Sequence, residues 1–202
     1  MRTAVVAAVA VLLCAGCAAV RTGPAEQPRI PTIVPPTTIS RVPQMVDRPL
    51  PDDCALVVPV EVVHQRLGRE LPGEPMTIIG LPEPSLGRTG KIDCYYGVAD
   101  KQAVATSPVI VGLATYTDEA TAAGRVTESV DAERGEGASV TEVDVGKKKG
   151  RFVSTKDERL VVGSLGKTTY VARAKVGVLP DDAISGFLAA LAQQSMTPVE
   201  GS

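Results

Sequence analysis

Half of the prolines in this chain fall in one short stretch, and they separate a segment unsuited to a packed core from one that can form it. Of the 16 prolines, eight lie between Ala18 and Pro51, at positions 24, 28, 31, 35, 36, 43, 49 and 51. Proline fixes its own backbone angle and pushes the preceding residue into extended conformations, so such a segment is semi-rigid and gains about 3 Å per residue. We therefore expect a Pro-rich tether over 17–51, a globular domain over 52–198 and a short C-terminal tail over 199–202.

The residues before the tether have the order of a secretory signal peptide. Met1-Arg2-Thr3 supplies one positive charge, Ala4–Leu13 is a continuous apolar run, and small residues follow up to Cys17. The run is too short to cross a hydrocarbon core of about 30 Å, which takes roughly 20 helical residues. The pattern therefore predicts a removable signal over residues 1–16 and not a permanent membrane span.

The signal ends in Leu13-Cys14-Ala15-Gly16-Cys17, which resembles the lipobox of bacterial lipoproteins. In that family the cysteine after the cleavage site is diacylated on its sulfur and becomes the new N-terminus. The resemblance implies that Cys17 carries a diacylglyceryl group and anchors the protein to the extracytoplasmic face of the cell membrane. The sequence departs from the family pattern at Cys14, where leucine is usual. An alternative interpretation is an ordinary signal peptide cut near Ala18 or Ala19, which would leave a secreted protein.

Export also decides the chemistry expected of the remaining cysteines. Of the 4 cysteines, Cys14 leaves with the signal and Cys17 carries lipid, so Cys54 and Cys94 remain. In an oxidising compartment, two cysteines in one small domain most simply form a disulfide. A structural zinc site needs four ligands, and His64 is the only further side chain of the right kind. We therefore expect a Cys54–Cys94 disulfide and no metal site.

The charge balance argues against a nucleic-acid partner. Removal of residues 1–16 takes away one of the 21 basic side chains, Arg2, and none of the 23 acidic ones, which leaves a net charge near −3. Nucleic-acid binders show a basic stripe or a high isoelectric point instead. The expected partners are the membrane, through the lipid on Cys17, and a lipid or an envelope protein.

Residues 52–198 alternate between helical and β-like patterns. Pro59 can begin a helix that stops at Gly68. A second helix is predicted over 118–134, where Ala120, Ala123, Val126 and Val130 recur at helical spacing. A third begins after Pro180 and has an apolar stripe of Ile184, Phe187, Leu188 and Leu191. Turns are predicted at Gly146-Lys147 and Gly166-Lys167. Strands are predicted at 76–79, 92–98, 109–116, 139–145, 150–154, 159–164 and 168–174. This order predicts an α+β fold in which a mostly antiparallel sheet packs against two or three helices in a single disulfide-linked domain. One face of the sheet is expected to be covered and the other partly open.

A helix that follows one cysteine, and a second cysteine within a later strand, form a recognisable pattern over residues 54–196. The residues concerned are Cys54, Leu67-Gly68 and Cys94-Tyr95-Tyr96, followed by the helix at 118–134 and a β-rich second half. This order is similar to that of actinobacterial lipoproteins of a two-cysteine family of unknown function. Related extracellular folds serve as sensor or lipid- and protein-binding modules. The resemblance therefore implies an extracytoplasmic binding role and no particular reaction.

No combination of residues matches a catalytic site. His64 is the only histidine, and no paired Ser, Cys or carboxylate motif accompanies it. Ser164 and Lys167 have the Ser-x-x-Lys spacing of penicillin-recognising enzymes, but the partner motifs of those enzymes are absent. We therefore predict no catalytic residues, no cofactor and no enzyme activity.

The densest basic run is Lys147-Lys148-Lys149 with Arg151. It is either a contact for anionic lipid headgroups or an acidic partner, or a solvated turn whose lysines protect an edge strand from aggregation. We favour the solvated turn because runs of charge at turns are common.

Together these patterns predict a non-catalytic, membrane-anchored envelope lipoprotein that binds a hydrophobic small ligand or acts as a sensor-type module. The alternative is a structural or accessory lipoprotein that binds another envelope protein, through the loop at 69–91 and the basic turn. An apolar cleft of several hundred Å³ between sheet and helices would favour the ligand. A closed, fully packed sandwich would favour the protein contact.

Replacement of the lipobox cysteine tests the anchor. The Cys17→Ser protein cannot be acylated on sulfur, so we expect it to leave the membrane fraction and appear in the soluble extract. Immunoblots of fractionated cells measure this change. Continued membrane association of the variant would show that the lipid on Cys17 is not the anchor.

Overall fold

The structure is a computed structural model that describes residues 44–198; Cys17, the signal and most of the predicted tether lie outside the described residues. Its elements are, in chain order, α1 (Cys54–Val57), α2 (Val60–Leu67), β1 (Met76–Gly80), β2 (Arg88–Tyr96), β3 (Val109–Tyr116), α3 (Glu119–Gly135), β4 (Ser139–Val145), β5 (Lys148–Ser154), β6 (Glu158–Leu165), β7 (Thr168–Lys175) and α4 (Asp181–Ser195). Within the described part of the chain, no helix is long and apolar enough to cross a membrane.

All seven strands belong to one antiparallel sheet with the order β1-β2-β3-β7-β6-β5-β4. The predicted α+β fold, a mostly antiparallel sheet in one disulfide-linked domain, is therefore confirmed. Two of the hairpins close through two-residue turns that begin with glycine. Gly146 and Gly166 have φ values of 58° and 57°, a region that glycine enters without a steric cost. The second of these turns contains Lys167, so residues 163–168 form a hairpin.

Helices α1, α2 and α4 cover one face of the sheet. The stripe predicted for α4, which comprises Ile184, Phe187, Leu188 and Leu191, is buried against this face. Its members recur at helical spacing, so one side of the helix is apolar along its whole length. Most of the hydrophobic core lies in this layer.

Helix α3 covers part of the opposite face. Its Val130 packs with Val153 of β5 and with Leu160 and Val162 of β6. The carboxylate of Asp118 caps the first turn by accepting a hydrogen bond from the Thr121 amide at 2.7 Å, and this bond lowers the pKa of Asp118. Helix α3 lies over β3, β4, β5, β6 and β7, so the same face of β1 and β2 is less covered.

The last residues of the predicted tether belong to the packed structure. The amide of Val46 donates a hydrogen bond to the carbonyl of Met196 at 2.9 Å. The carboxylate of Asp47 accepts one from the hydroxyl of Thr168 at 2.9 Å. We call residues 44–51 the strap. Prolines 49 and 51 favour an extended backbone, which suits a segment that lies across strand ends, and the folded part therefore begins earlier than the proline distribution indicates.

The predicted disulfide between Cys54 and Cys94 is present, with a Cα–Cα distance of 5.5 Å. Cys54 opens the short helix α1, and Cys94 lies in the middle of β2; both are buried. The bond therefore joins the first helical turn of the domain directly to the sheet.

Two buried tyrosines differ in how their hydroxyl groups are satisfied. The hydroxyl of Tyr96 donates a hydrogen bond to the carbonyl of Val58 at 2.7 Å. The hydroxyl of Tyr170 finds no partner among residues 44–198. The ring of Tyr170 lies against Gly163, where a Cβ would stand close to the tyrosine hydroxyl and clash with it. Burial raises the pKa of Tyr170 to about 12, and the pKa of Tyr96 is raised by burial and, less strongly, by Asp53.

Loss of the disulfide should destabilise the domain. It closes a loop with a sequence separation of 40, for which chain-entropy arithmetic gives about 4 kcal/mol. We expect Cys94→Ser and Cys54→Ser each to lower the free energy of unfolding by that order, measured by urea titration. The double variant should lose no more than either single one, and a larger loss would contradict a single shared bond.

The two tyrosines form a matched pair for a second prediction. Tyr96→Phe removes a buried hydrogen bond and should cost about 1 kcal/mol of unfolding free energy, whereas Tyr170→Phe removes an unsatisfied hydroxyl and should cost nothing or stabilise. The folded state raises the pKa of Tyr170 above its ordinary value of 10.0. The stability that this shift contributes is therefore complete below pH 10 and is lost as pH rises towards 12. Tyr170→Phe should therefore flatten the alkaline decline in thermal melts. Equal losses from both substitutions at pH 7 would refute the assignment.

Candidate functional site

A cleft of about 220 Å³ opens between α3 and the sheet. Its floor includes Gly112 and Ala114 of β3 with Thr169 and Val171 of β7. The side chains of α3 that line the opposite wall are Arg125, Val126, Ser129 and Glu133. Both β3 residues are small and buried, so the sheet surface is low beneath α3 at this point.

The strand register explains why these residues share one surface. Lys91, Ala114 and Thr169 lie directly opposite one another across β2, β3 and β7. Directly opposed residues of antiparallel strands project on the same face of the sheet. Gly112 and Val171 form the next such row, two residues further along each strand.

Positive side chains from three elements converge on the cleft. The basic residues in its lining are Arg88 and Lys91 of β2, Arg125 of α3 and Arg173 of β7. The lining contains one acidic residue, Glu133. All four basic side chains are partly buried, so their charges are screened less than those of fully exposed lysines and arginines.

Each of these cations is paired with a carboxylate. Arg88 pairs with Glu83 at 2.7 Å, Lys91 with Asp93 at 2.7 Å, Arg173 with Glu158 at 3.6 Å, and Arg125 with Glu128. Pairs with this much exposure contribute about 0–1 kcal/mol to stability. Their structural effect is to fix the positions of the cations along the rim of the cleft.

Gly112 leaves space for the ion pair between Lys91 and Asp93. A Cβ at Gly112 would stand 2.5 Å from Oδ1 of Asp93, so any other residue would displace the carboxylate. Without a side chain at that position, Asp93 lies beside β3 and holds the ammonium group of Lys91. Gly112 therefore lowers the floor of the cleft and also positions a cation at its rim.

The predicted basic run lies elsewhere, in the β4–β5 hairpin. Lys147 is in the turn, and Lys148, Lys149 and Arg151 are in β5. The ammonium of Lys149 lies 2.7 Å from Asp144, and the hydrogen bond to this carboxylate raises the pKa of Lys149. Arg151 pairs with Glu142 at 3.6 Å. The edge strand here is β4, and β5 is interior; the contact with anionic headgroups stays a prediction.

The remaining sequence candidates do not join the cleft. His64 lies in α2, and its Nε2 is buried with no hydrogen-bond partner among the described residues. Ser164 lies in β6 and Lys167 in the following turn, and neither lines the cleft. Within residues 44–198, no cluster of three His, Cys, Asp or Glu side chains could hold a metal ion.

A wider hollow of about 550 Å³ lies between the end of α3 and the β5–β6 turn. Its lining includes Glu136, Asp157 and Glu158 together with Lys156 and Lys175. Charges of both signs are mixed there. The cleft under α3 is therefore the better candidate, since four basic side chains from three elements meet there above a low floor.

Comparison with known proteins gives little guidance. No protein-family model matches the chain, and no curated protein matches it. Among solved structures, it is similar to the extracellular domain of PknH from Mycobacterium tuberculosis, with 12% sequence identity and a TM-score of 0.45. That match covers 73% of this chain and 97% of the other. At this score and identity, it carries neither a site nor a residue role over to this protein.

Proposed function

We propose that this protein is a lipid-anchored, non-catalytic binding module of sensor type on the extracytoplasmic face of the cell membrane. The ligand that we propose is a small anion with a short apolar body, held under α3. The anchor is supported by the lipobox resemblance at Cys17. The buried Cys54–Cys94 disulfide suits an oxidising compartment outside the cytoplasm.

The observation that carries the ligand proposal is the convergence of basic side chains on one cleft. Four of them, from β2, α3 and β7, line it; each is paired with a carboxylate, and the carboxylate of Asp93 lies against Gly112 in the floor. A carboxylate or phosphate that enters can accept charge-assisted hydrogen bonds from guanidinium and ammonium groups. Apolar lining residues, among them Val126, Val162 and Val171, can contact the rest of such a molecule.

The size of the cleft limits the ligand. At about 30 Å³ per water in the liquid, a volume of about 220 Å³ holds roughly seven waters. This is below the range of about 300–1,000 Å³ that is typical of sites for drug-sized ligands. A small acid fits these dimensions and charges better than the wholly hydrophobic ligand expected from the sequence.

Substitution of Arg125 tests the site, and α3 itself offers a matched control. Arg134 lies on the same helix and pairs with Asp131 three residues away, as Arg125 pairs with Glu128, but it does not line the cleft. We expect benzoate or phenyl phosphate to raise the melting temperature of the native protein and of Arg134→Gln. The neutral isostere benzamide should not, and Arg125→Gln should lose the effect at least tenfold in apparent Kd.

A second measurement looks for the natural occupant. Mass spectrometry of an organic extract from protein purified out of its native envelope should show a stoichiometric small acid in addition to the acyl groups on Cys17. Equal stabilisation by benzamide and benzoate, or equal responses of the two arginine variants, would overturn the proposed site. The fractionation of Cys17→Ser tests the anchor independently of either result.

A further inference from the structure

Strand β1 is an edge of the sheet and carries unusually exposed apolar side chains. Its only strand partner in the described part of the chain is β2, so its outer backbone groups face outwards. Met76, Ile78, Ile79 and Leu81 are 41%, 42%, 61% and 82% exposed. Met76 and Ile78 lie opposite Tyr95 and Asp93 and project on one face of the strand, whereas Ile79 projects on the other and Leu81 follows the strand. Apolar side chains therefore stand on both faces of this edge. We call residues 76–81 the apolar edge.

The two edges of the sheet differ in how they are protected. The apolar edge reads Met-Thr-Ile-Ile-Gly-Leu and contains no charged residue. The opposite edge strand, β4, carries Glu142 and Asp144, which pair with basic residues of β5. Charged side chains are a common means of preventing a sheet edge from pairing with another strand. One edge is therefore blocked by charge, and the other is open to a strand that carries none.

The flanking prolines define the length of strand that can be added. Pro75 and Pro82 stand on either side of the apolar edge, and proline cannot donate a hydrogen bond to a ladder. The added ladder is therefore about as long as β1, and an uncharged strand meets no charged side chain along it. A second copy of this chain presents such a strand.

The apolar edge is complementary to itself in antiparallel register. Pairing centred on Ile78 sets Met76 opposite Gly80 of the second copy and Thr77 opposite its Ile79. The longest side chain of the strand then faces the residue that has none. Every pair is uncharged, so no like charges are opposed within the ladder.

The area available explains where such pairing would be stable. A strand of five or six residues is about 17–20 Å long, so edge pairing alone buries less than the roughly 1,200–2,000 Å² of a stable interface. Confinement of many copies to one membrane plane raises their effective concentration. This step rests on the proposed anchor at Cys17. We infer that two membrane-anchored copies pair through their apolar edges, which makes one antiparallel sheet continuous through both.

A cysteine at the centre of the ladder reports this pairing. Opposed Cα atoms in an antiparallel pair are about 4.5–5.5 Å apart, which lies within the range that a disulfide spans. In native membranes, the full-length Ile78→Cys protein should therefore form an inter-copy disulfide under mild oxidation. The matched control is Thr141→Cys, an exposed position on the opposite edge strand β4, which should cross-link at least fivefold less. Addition of Ile79→Lys should abolish the Ile78→Cys dimer.

Several outcomes would overturn the pairing. Equal cross-linking at positions 78 and 141, or none at 78, would refute it. An adduct of Ile78→Cys with a different protein would show that another envelope protein covers the edge. An intact Cys54–Cys94 bond in peptide maps excludes misfolding of the variant. In the Cys17→Ser background, cross-linking should fall at least tenfold at equal total protein; an equal yield would keep the pairing and remove the anchor from it.

Discussion

The pairing of β3 with β7 is the interaction on which the rest of the structure depends. It joins two antiparallel arrays, β1-β2-β3 and β7-β6-β5-β4, into one sheet. The residues that meet there, Val109–Thr115 and Thr168–Ala174, are separated in the chain by α3 and three strands. Because α3 begins directly after β3, it must cross back over this seam. The cleft lies beside that crossing, with its floor on both strands of the pair.

The two faces of this sheet are used differently. One is closed by α1, α2 and α4 and fastened by the Cys54–Cys94 bond, and it contains most of the core. The other face is partly covered by a single helix, α3. A helix that buries few large side chains, with Ala122 and Val130 as its buried residues, leaves space beside it for a polar cleft. Most of the core and the proposed binding cleft thus lie on opposite faces of the sheet.

Local sequence signals predicted much of the fold. The α4 stripe, the glycine turns and the alternating strands each follow from a short-range pattern, and the structure contains them. The stripe predicted for α3 was only partly right, because Ala120 and Ala123 are exposed and Ala122 is buried instead. Small residues on every side of that helix give its periodicity little contrast. The cleft could not be predicted, since Arg88, Arg125 and Arg173 come together only when the sheet and α3 have packed. The apolar edge was also hidden, because a short apolar run looks the same in a buried strand and an exposed one.

The strap gives the domain a mechanical property. A pull on the chain before residue 44 first loads the hydrogen bonds of Val46 and Asp47, which hold the strap to Met196 and to the β6–β7 turn. These hydrogen bonds are few and can break one after another. Release of residues 44–51 would free a segment with a contour length of about 26 Å at ~3.3 Å per residue. The force would then reach Cys54, where a covalent bond passes it to β2, the second strand from one edge of the sheet. The strap is therefore a short segment that can detach under force, and the disulfide restricts unfolding of the domain beyond it.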